Sequence, residues 1–505
     1  MIRYFRNMRL KWTLAACACL ATAGCVIGPK YTRPPVQAPP AYKESQVAGN
    51  AEWKAANPSE GALRGKWWEL FGDPQLDRLE EMVSVSNQNL KAAEAQYQEA
   101  RAAVALNRAN YYPTITTNPS INSAYTPRNM GGRQSGTTTT YTLPAGATWE
   151  PDLWHRVRLS VENATASAQA SAADIENVRL SMQTMLASDY FQLAGNDMQQ
   201  RLLADTIAGY EKALELTLNR YNGGVAAKTD VVQARTQLES ARAQLTDLGI
   251  ARAQFEHAIA VLTGRPPAEL SLAVVKIQGP PPPIPAGLPS DLLQRRPDIA
   301  AAERQVAAAN AEIGLAKTAF YPSLLLSATA GLESTSFLNW IAWPSRFFSA
   351  GPALSQTLFD FGRRKAQVRE SEAAYDALAA TYRQTVLSAF QEVEDNLAAI
   401  RQLSQEAVQQ DAAVKAAEES LNLETDLYKG GTVSYLNVIT TQTIALSNEI
   451  TAVGILTRRM VSSIQLIGAL GGGWDASSLP SPESIRSVAT PSPTPTAPQA
   501  ANAKP

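Results

Sequence analysis

Residues 386–431 read VLSAFQEVEDNLAAIRQLSQEAVQQDAAVKAAEESLNLETDLYKGG. Within them Val386, Val393, Ile400, Ala407, Val414, Leu421 and Tyr428 stand seven apart without a break, and the run ends on Gly430-Gly431. A sustained seven-residue apolar repeat makes an α-helix supercoil left-handedly against a neighbour. Gly-Gly, free to take the left-handed backbone that closes a helix, is a stop. Beyond it the spacing resumes at Ile439, Leu446, Val453, Met460 and Ile467. Proline, which costs a helix interior about 3 kcal/mol, is absent from 353–479. The reading is a long helix, a tight turn and a return helix: a coiled-coil hairpin over 361–470.

The same text occurs earlier in the chain. Tyr221-Asn222-Gly223-Gly224-Val225 matches Tyr428-Lys429-Gly430-Gly431-Thr432, an offset of 207 residues (221 to 428). Ala109-Asn110-Tyr111-Tyr112-Pro113 matches Thr318-Ala319-Phe320-Tyr321-Pro322, and Asp152-Leu153-Trp154 matches Asp360-Phe361-Gly362, at offsets of 209 and 208. Counting back from Tyr221 gives Leu214, Ile207, Gln200, Leu193 and Leu186, one heptad register with one polar break. Residues 152–265 also lack proline. A whole fold unit is duplicated, and its first hairpin spans 155–264. At 1.5 Å per residue, its long helix would reach about 100 Å.

Ahead of each long helix the period changes to two. Tyr141, Leu143, Ala145, Ala147 and Trp149 alternate with Thr140, Thr142, Pro144, Gly146 and Thr148. Leu324, Leu326, Ala328, Ala330 and Leu332 alternate in the same way in the second unit. Such runs are strands with one apolar face, long enough for a transmembrane β-strand. We place strands at about 112–126 and 138–151 in the first unit, and at about 321–333 and 347–359 in the second. Loops then fall at 127–137 and 334–346, the latter putting Trp340 and Trp343 at a membrane interface. Four strands cannot close a barrel, and lipid does not tolerate an open sheet edge. The chain therefore assembles with copies of itself, or its strands lie outside a membrane.

The N-terminus carries Arg3, Arg6, Arg9 and Lys11, then a short apolar run ending at Ala23-Gly24-Cys25. This is a secretory signal over 1–24, too short in its apolar part to span a bilayer. Cys17, Cys19 and Cys25 are the only cysteines. Cleavage before Cys25 leaves one thiol and no internal disulfide. The site resembles a bacterial lipobox, with Thr22 where leucine is usual, and this makes Cys25 the lipid attachment point. Leu14-Ala15-Ala16-Cys17 also fits a lipobox but leaves almost no apolar run before it. One acyl chain anchors weakly, so a second membrane attachment is expected.

These features together resemble the outer membrane factor family, the TolC-like efflux ducts, and most closely its NodT-type lipoprotein branch. The stretches that carry the likeness are Cys25-Val26-Ile27-Gly28-Pro29-Lys30-Tyr31-Thr32-Arg33-Pro34, Trp67-Trp68-Glu69-Leu70-Phe71-Gly72-Asp73-Pro74, Leu262-Thr263-Gly264-Arg265-Pro266, Leu288-Pro289-Ser290-Asp291-Leu292-Leu293-Gln294-Arg295-Arg296-Pro297-Asp298 and Leu358-Phe359-Asp360-Phe361-Gly362-Arg363. The resemblance implies an α+β membrane protein. Its two tandem repeats, each a strand pair plus a helical hairpin, close as a homotrimer into a 12-stranded β-barrel continued by a periplasmic α-helical barrel. It implies the exit duct of a tripartite efflux pump in the outer membrane. The implied partners are a periplasmic adaptor protein, an inner-membrane pump of the RND or another type, and outer-membrane lipid. His155 departs from the family, which has glycine there, as the second repeat does at Gly362.

The resemblance also implies a site. The hairpin turns, with Tyr221, Gly223 and Gly224 in one repeat and Tyr428, Gly430 and Gly431 in the other, are the periplasmic tip where an adaptor docks and the pore narrows. The bland alternative is that Gly-Gly only ends a helix. The family's two acidic gate positions are neutral here, Asn437 and Thr440. Its gate-locking arginine falls on Val433, which leaves Asp230 without that partner. The expected constriction is closed by Leu436, with Asn437 and Thr440 polar beside it.

The rest of the sequence argues by exclusion. The net charge of −1 gives no reason to expect nucleic acid as a partner. His155 and His257 lack metal-ligand spacing, and no phosphate loop or nucleophile elbow occurs; neither metal, cofactor nor enzymatic activity is expected. The resulting map is a signal over 1–24, a lipidated extended segment over 25–57, repeats over 58–270 and 290–474, a Pro-rich linker over 271–289, and a disordered Pro/Ser/Thr/Ala tail over 475–505. Three rivals remain in view. The periplasmic adaptor class would show one hairpin between lipoyl-like modules. A soluble scaffolding coiled coil would leave the strands unexplained. A type I protein secretion duct would share the architecture.

Overall fold

The computed structural model describes residues 27–44, 65–127, 136–284 and 289–487. Cys25, the signal over 1–24 and residues 488–505 lie outside the described residues.

Both hairpins are present and match in length. In the first, α3 (Arg156–Asn222) returns through α4 (Lys228–Leu262); in the second, α6 (Arg363–Lys429) returns through α7 (Tyr435–Ala469). The long helices have 67 residues each and the return helices 35. At 1.5 Å per residue the long ones extend about 100 Å. Gly224 and Gly431 take φ of 75° and 79° where each turn reverses. Val225 and Ala226 N–H both donate to the Arg220 carbonyl there, closing the last turn of α3.

The heptad positions do what their spacing requires. Leu186, Leu193, Val386, Val393, Met460 and Ile467 are all buried in one apolar cluster, where α3, α6 and α7 cross. Nearer the tips, Ile207, Leu214 and Leu421 are only half-covered within one chain. By length and composition α7 could span a bilayer. It lies instead along α6, whose many charged side chains could not accompany it into hydrocarbon.

Three further helices lie outside the two hairpins. They are α1 (Pro74–Ser86), α2 (Gln88–Ala109) and α5 (Pro297–Thr318). Asp73 caps α1 by accepting from Gln75 and Leu76 N–H, and Asn87 caps α2 by accepting from Leu90 N–H. Proline at the first helical position starts α1 and α5 without losing a hydrogen bond. Both α2 and α5 pack along α3.

The strands form one antiparallel sheet of β1 (Thr114–Thr117), β2 (Ser120–Thr126), β3 (Gly136–Trp149), β4 (Ser323–Ser334) and β5 (Arg346–Ser355). The first expected strand is two pieces, because Asn118-Pro119 interrupts it; both pieces pair with β3. β3 pairs with β4 and so joins the two repeats. The register aligns the apolar sets. Ile115 faces Ala147, Ile121 faces Tyr141, Leu143 faces Leu332, Trp149 faces Leu326 and Leu354 faces Leu324. Directly paired residues share a face, so one face is aliphatic and aromatic and the other mostly Thr, Ser and Gly. Among the described residues, β5 and the β1/β2 edge have no outer partner.

Two junctions link sheet to helices. Asp152 accepts from Val157 and Arg158 N–H, and Asp360 accepts from Gly362 and Arg364 N–H, so the repeated aspartate caps each long helix from upstream. His155 takes φ 59°, ψ 26°, the left-handed region that Gly362 takes at φ 89°. The left-handed bend is kept with histidine in place of glycine, at a cost of about 1 kcal/mol relative to glycine.

The expectation of a disordered tail from 475 is corrected. Residues 475–487 pack back along the body through a short helix, α8 (Pro482–Arg486). Ile485 is 1% exposed, wedged among Val104, Ala164 and Ala168, and the Pro480 carbonyl accepts from Gln169. One apolar side chain in a Pro/Ser-rich run carries too weak a signal to show this.

Candidate functional site: the hairpin tips and the strap to the sheet

At the tips the two repeats meet asymmetrically. Tyr428 is 5% exposed whereas its counterpart Tyr221 is 41% exposed. Tyr428 packs with Tyr435, ring centroids 5.2 Å apart, and both lie against Ala234 and Val438. The Tyr435 phenol is pushed up to about 12 by burial, with Tyr428, Tyr210 and the Asp230 carboxylate adding to the effect. Asp230 therefore stands by the second hairpin's tyrosines, half-buried in the first turn of α4. Val433, at the position of the family's arginine, is a partly buried apolar neighbour of the same cluster.

The connection between the tips runs through Arg220, which the sequence reading did not single out. Its Nη1 donates to the carbonyls of Tyr428 and Lys429, both at 3.2 Å, at the C-terminal end of α6. Its guanidinium carbon lies 4.8 Å from the centroid of the Tyr428 ring. The first hairpin thus caps the end of the second. A position 207 residues on is Leu427, so the link has no counterpart in the other direction. A second link lies further up, where Gln237 Nε2 donates to Tyr210 Oη and Thr443 Oγ1, both at 3.2 Å.

Leu436, Asn437 and Thr440 share the other side of α7. All three are exposed, Leu436 at 55%, while Tyr435 and Val438 between them are buried. Thr440 Oγ1 donates to the Leu436 carbonyl at 2.9 Å. Val225, Val232, Leu423 and Leu427 are also exposed near the tips. The structure buries Tyr428 against Tyr435, with Asp230 near Tyr435, leaves Tyr221 on the surface, and exposes Leu436, Asn437 and Thr440.

At the opposite end, residues 27–44 form a strap. Gly28 crosses α5 so closely that a Cβ on it would stand 2.8 Å from Gly314 Cα. Asn310 donates to the Pro29 carbonyl, Tyr31 bonds Glu303, and Arg33 Nε donates to Tyr382 Oη at 3.0 Å. Lys43 and Glu44 N–H donate to the Glu394 carboxylate, and Arg401 pairs with Glu44 at 2.6 Å. The strap therefore runs from the hairpin body back to Gly314, one turn before α5 ends and the chain enters β4. Arg296, 8% exposed, shows what one matched motif does: it pairs with Asp298 and Glu392 and donates to the Ala469 carbonyl at the end of α7.

Comparison with known proteins follows the same division of the chain. The family model described as outer membrane efflux protein matches residues 81–265 and 288–472, once in each repeat. The toluene efflux pump outer membrane protein TtgC of Pseudomonas putida is 32% identical over 460 residues, 89% of this chain and 93% of that one. The probable outer membrane lipoprotein SilC of Salmonella typhimurium is 29% identical, covering 90% and 96%. Among solved structures, the outer-membrane channel OprN superposes with a TM-score of 0.82 at 26% identity, over 89% of this chain and all of that one.

Proposed function

The chain belongs to the outer membrane efflux protein family, and from that premise we propose that three copies close into one duct that carries small toxic compounds out of the cell from an inner-membrane pump. The observation that carries the reading is the sheet. Among the described residues its two edges lack partners, one face is apolar, and the other is mostly Thr, Ser and Gly. Lipid requires every strand edge to be paired. Pairing β5 of one copy with the β1/β2 edge of the next removes all edges at once, and three copies of a four-strand width give a 12-stranded barrel. The apolar face then meets lipid and the polar face lines the lumen. The half-covered heptad positions near the tips gain neighbours by the same closure.

In this reading the hairpins extend into the periplasm. Their exposed apolar tips, around Tyr221, Gly223, Gly224, Gly430 and Gly431, meet a periplasmic adaptor. Leu436, Asn437 and Thr440 face the axis and narrow it, and Arg220 holds the second hairpin closed on the first. Cys25 carries lipid: the strap reaches Ile27 beside the sheet-facing end of α5, which supports an acyl chain entering the inner leaflet just upstream. The barrel is the second attachment that a single acyl chain requires. TtgC is named for toluene efflux and SilC as a lipoprotein; a duct for small toxic compounds, served by an inner-membrane pump of the RND or another type, is the corresponding activity here.

Purified protein in planar bilayers tests this directly. It should form low-conductance channels, and Cys25→Ser should keep the channel while losing the acyl mass. Absence of any channel would contradict the duct.

A further inference from the structure

Arg346 stands on the lipid-facing side of the sheet and has no carboxylate partner among the described residues. Its directly paired neighbour is Leu332, and the positions two, four, six and eight further along its strand face are Phe348, Ala350, Pro352 and Leu354. An arginine thus opens an otherwise apolar stripe. Glu333, the nearest acid in sequence, lies on the other face, paired with Thr142.

Arg346 also stands at a particular height. From Leu354 to Arg346 is eight residues, about 27 Å along a strand, close to the apolar band of an outer-membrane barrel. It is the end away from the helices. There Tyr141, Phe337 and Trp340 cluster with ring centroids 5.6–6.3 Å apart, an aromatic girdle at the upper interface. Beside Arg346, Trp343 is 76% exposed, and the guanidinium carbon lies 4.2 Å from its ring centroid. The guanidinium lies over the ring, and its in-plane donors have no acceptor among the described residues, the geometry that matches a phosphate. The loop 334–346 at this end contains Arg346 and no Asp or Glu.

We propose that Arg346 stacked on Trp343 is a binding site for the phosphate of a phosphorylated glycolipid in the outer leaflet. The site rests on the barrel reading above. A lipid-facing arginine at this depth has no water-filled lumen to turn to, and headgroup phosphate is the acceptor available there. Bound lipid would fix the height of the barrel in the membrane and seal its upper rim.

The test uses the full-length trimer in nanodiscs holding lipid A or its dephosphorylated form, with retained glycolipid counted by native mass spectrometry. The parent should retain the phosphorylated form about tenfold over the other, as expected for a hydrogen-bonded charge pair. Arg346→Gln should abolish the preference, and Arg346→Lys, which keeps charge without the stacked fork, should keep part of it. Equal retention by the parent and Arg346→Gln overturns the proposal. Tryptophan quenching by brominated acyl chains separates the two layers of the argument: quenched trimers with no phosphate preference refute the site alone, whereas unquenched protein refutes the lipid-facing sheet and the site with it.

Discussion

Replacing Arg220 with glutamine should free the second hairpin tip from the first. The guanidinium makes two hydrogen bonds at 3.2 Å to carbonyls at the end of α6 and stacks on Tyr428. A hydrogen bond from a charged group contributes about 1.5–3 kcal/mol; two long bonds from one nitrogen count as roughly one. A cation over an aromatic ring adds about 0.5–1 kcal/mol where water reaches it. The total is about 2–4 kcal/mol per chain, and at 1.4 kcal/mol per factor of ten the detached tip becomes roughly 30- to 700-fold more populated. In planar bilayers, Arg220→Gln should raise mean conductance and open probability. Arg220→Lys should fall between, since it keeps charge near the carbonyls but loses the fork. Lys415→Gln, at an exposed position on α6, should leave gating unchanged. If Arg220→Gln channels open no more often than parental ones, Arg220 is only a helix cap and the tips are held by something else.

Other predictions follow from the same structure. Asn437→Asp combined with Thr440→Asp places six carboxylates around the closed ring of a trimer, and like charges at 4 Å repel by about 1 kcal/mol in water and about 4 at low effective dielectric; the double variant should conduct more, select cations and become sensitive to divalent ions, all read in bilayers. The Glu80 carboxyl is fully buried without a hydrogen-bond partner among the described residues, and burial, with the Asp77 charge adding, holds it well above the ordinary 4.5. The folded chain keeps a proton there that the unfolded chain releases, so stability from this group is lost as pH rises above 4.5; Glu80→Gln should raise the Tm at pH 7.5 and have no effect near pH 4.5. His155→Gly relieves a left-handed histidine and should stabilise by about 1 kcal/mol, seen as a higher dissociation temperature of the assembly; a drop would mean that the histidine side chain makes contacts worth more than the strain.

What was legible in the sequence is what repeats along it. The heptads from Leu186 to Tyr221 and from Val386 to Tyr428 marked the long helices, and Gly223-Gly224 and Gly430-Gly431 marked their ends, because helix period and αL backbone leave local signatures. The alternation of Tyr141 to Trp149 gave the correct face of β3. Helices α1, α2 and α5 carry seven-residue spacing too, in Leu76, Val83, Leu90 and Val104 and in Ile299, Val306 and Ile313, all buried; the reading built on the two Gly-Gly hairpins passed over these shorter runs, whose starts are marked by Asp73-Pro74, Asn87 and Pro297. Ile485 docks as a single side chain, and one residue makes no pattern. Arg220 was invisible for a different reason: its partners are backbone carbonyls 208 and 209 residues away, and a carbonyl has no letter in the sequence. The asymmetry of Tyr221 and Tyr428, alike as text, arises only when the hairpins pack.

The account stands most directly on closure by three copies. Native mass spectrometry of the complex extracted from outer membranes should give three times the mass of the mature acylated chain, with no folded single chain beside it. A stable monomer, or any assembly whose copies do not number three, would contradict it.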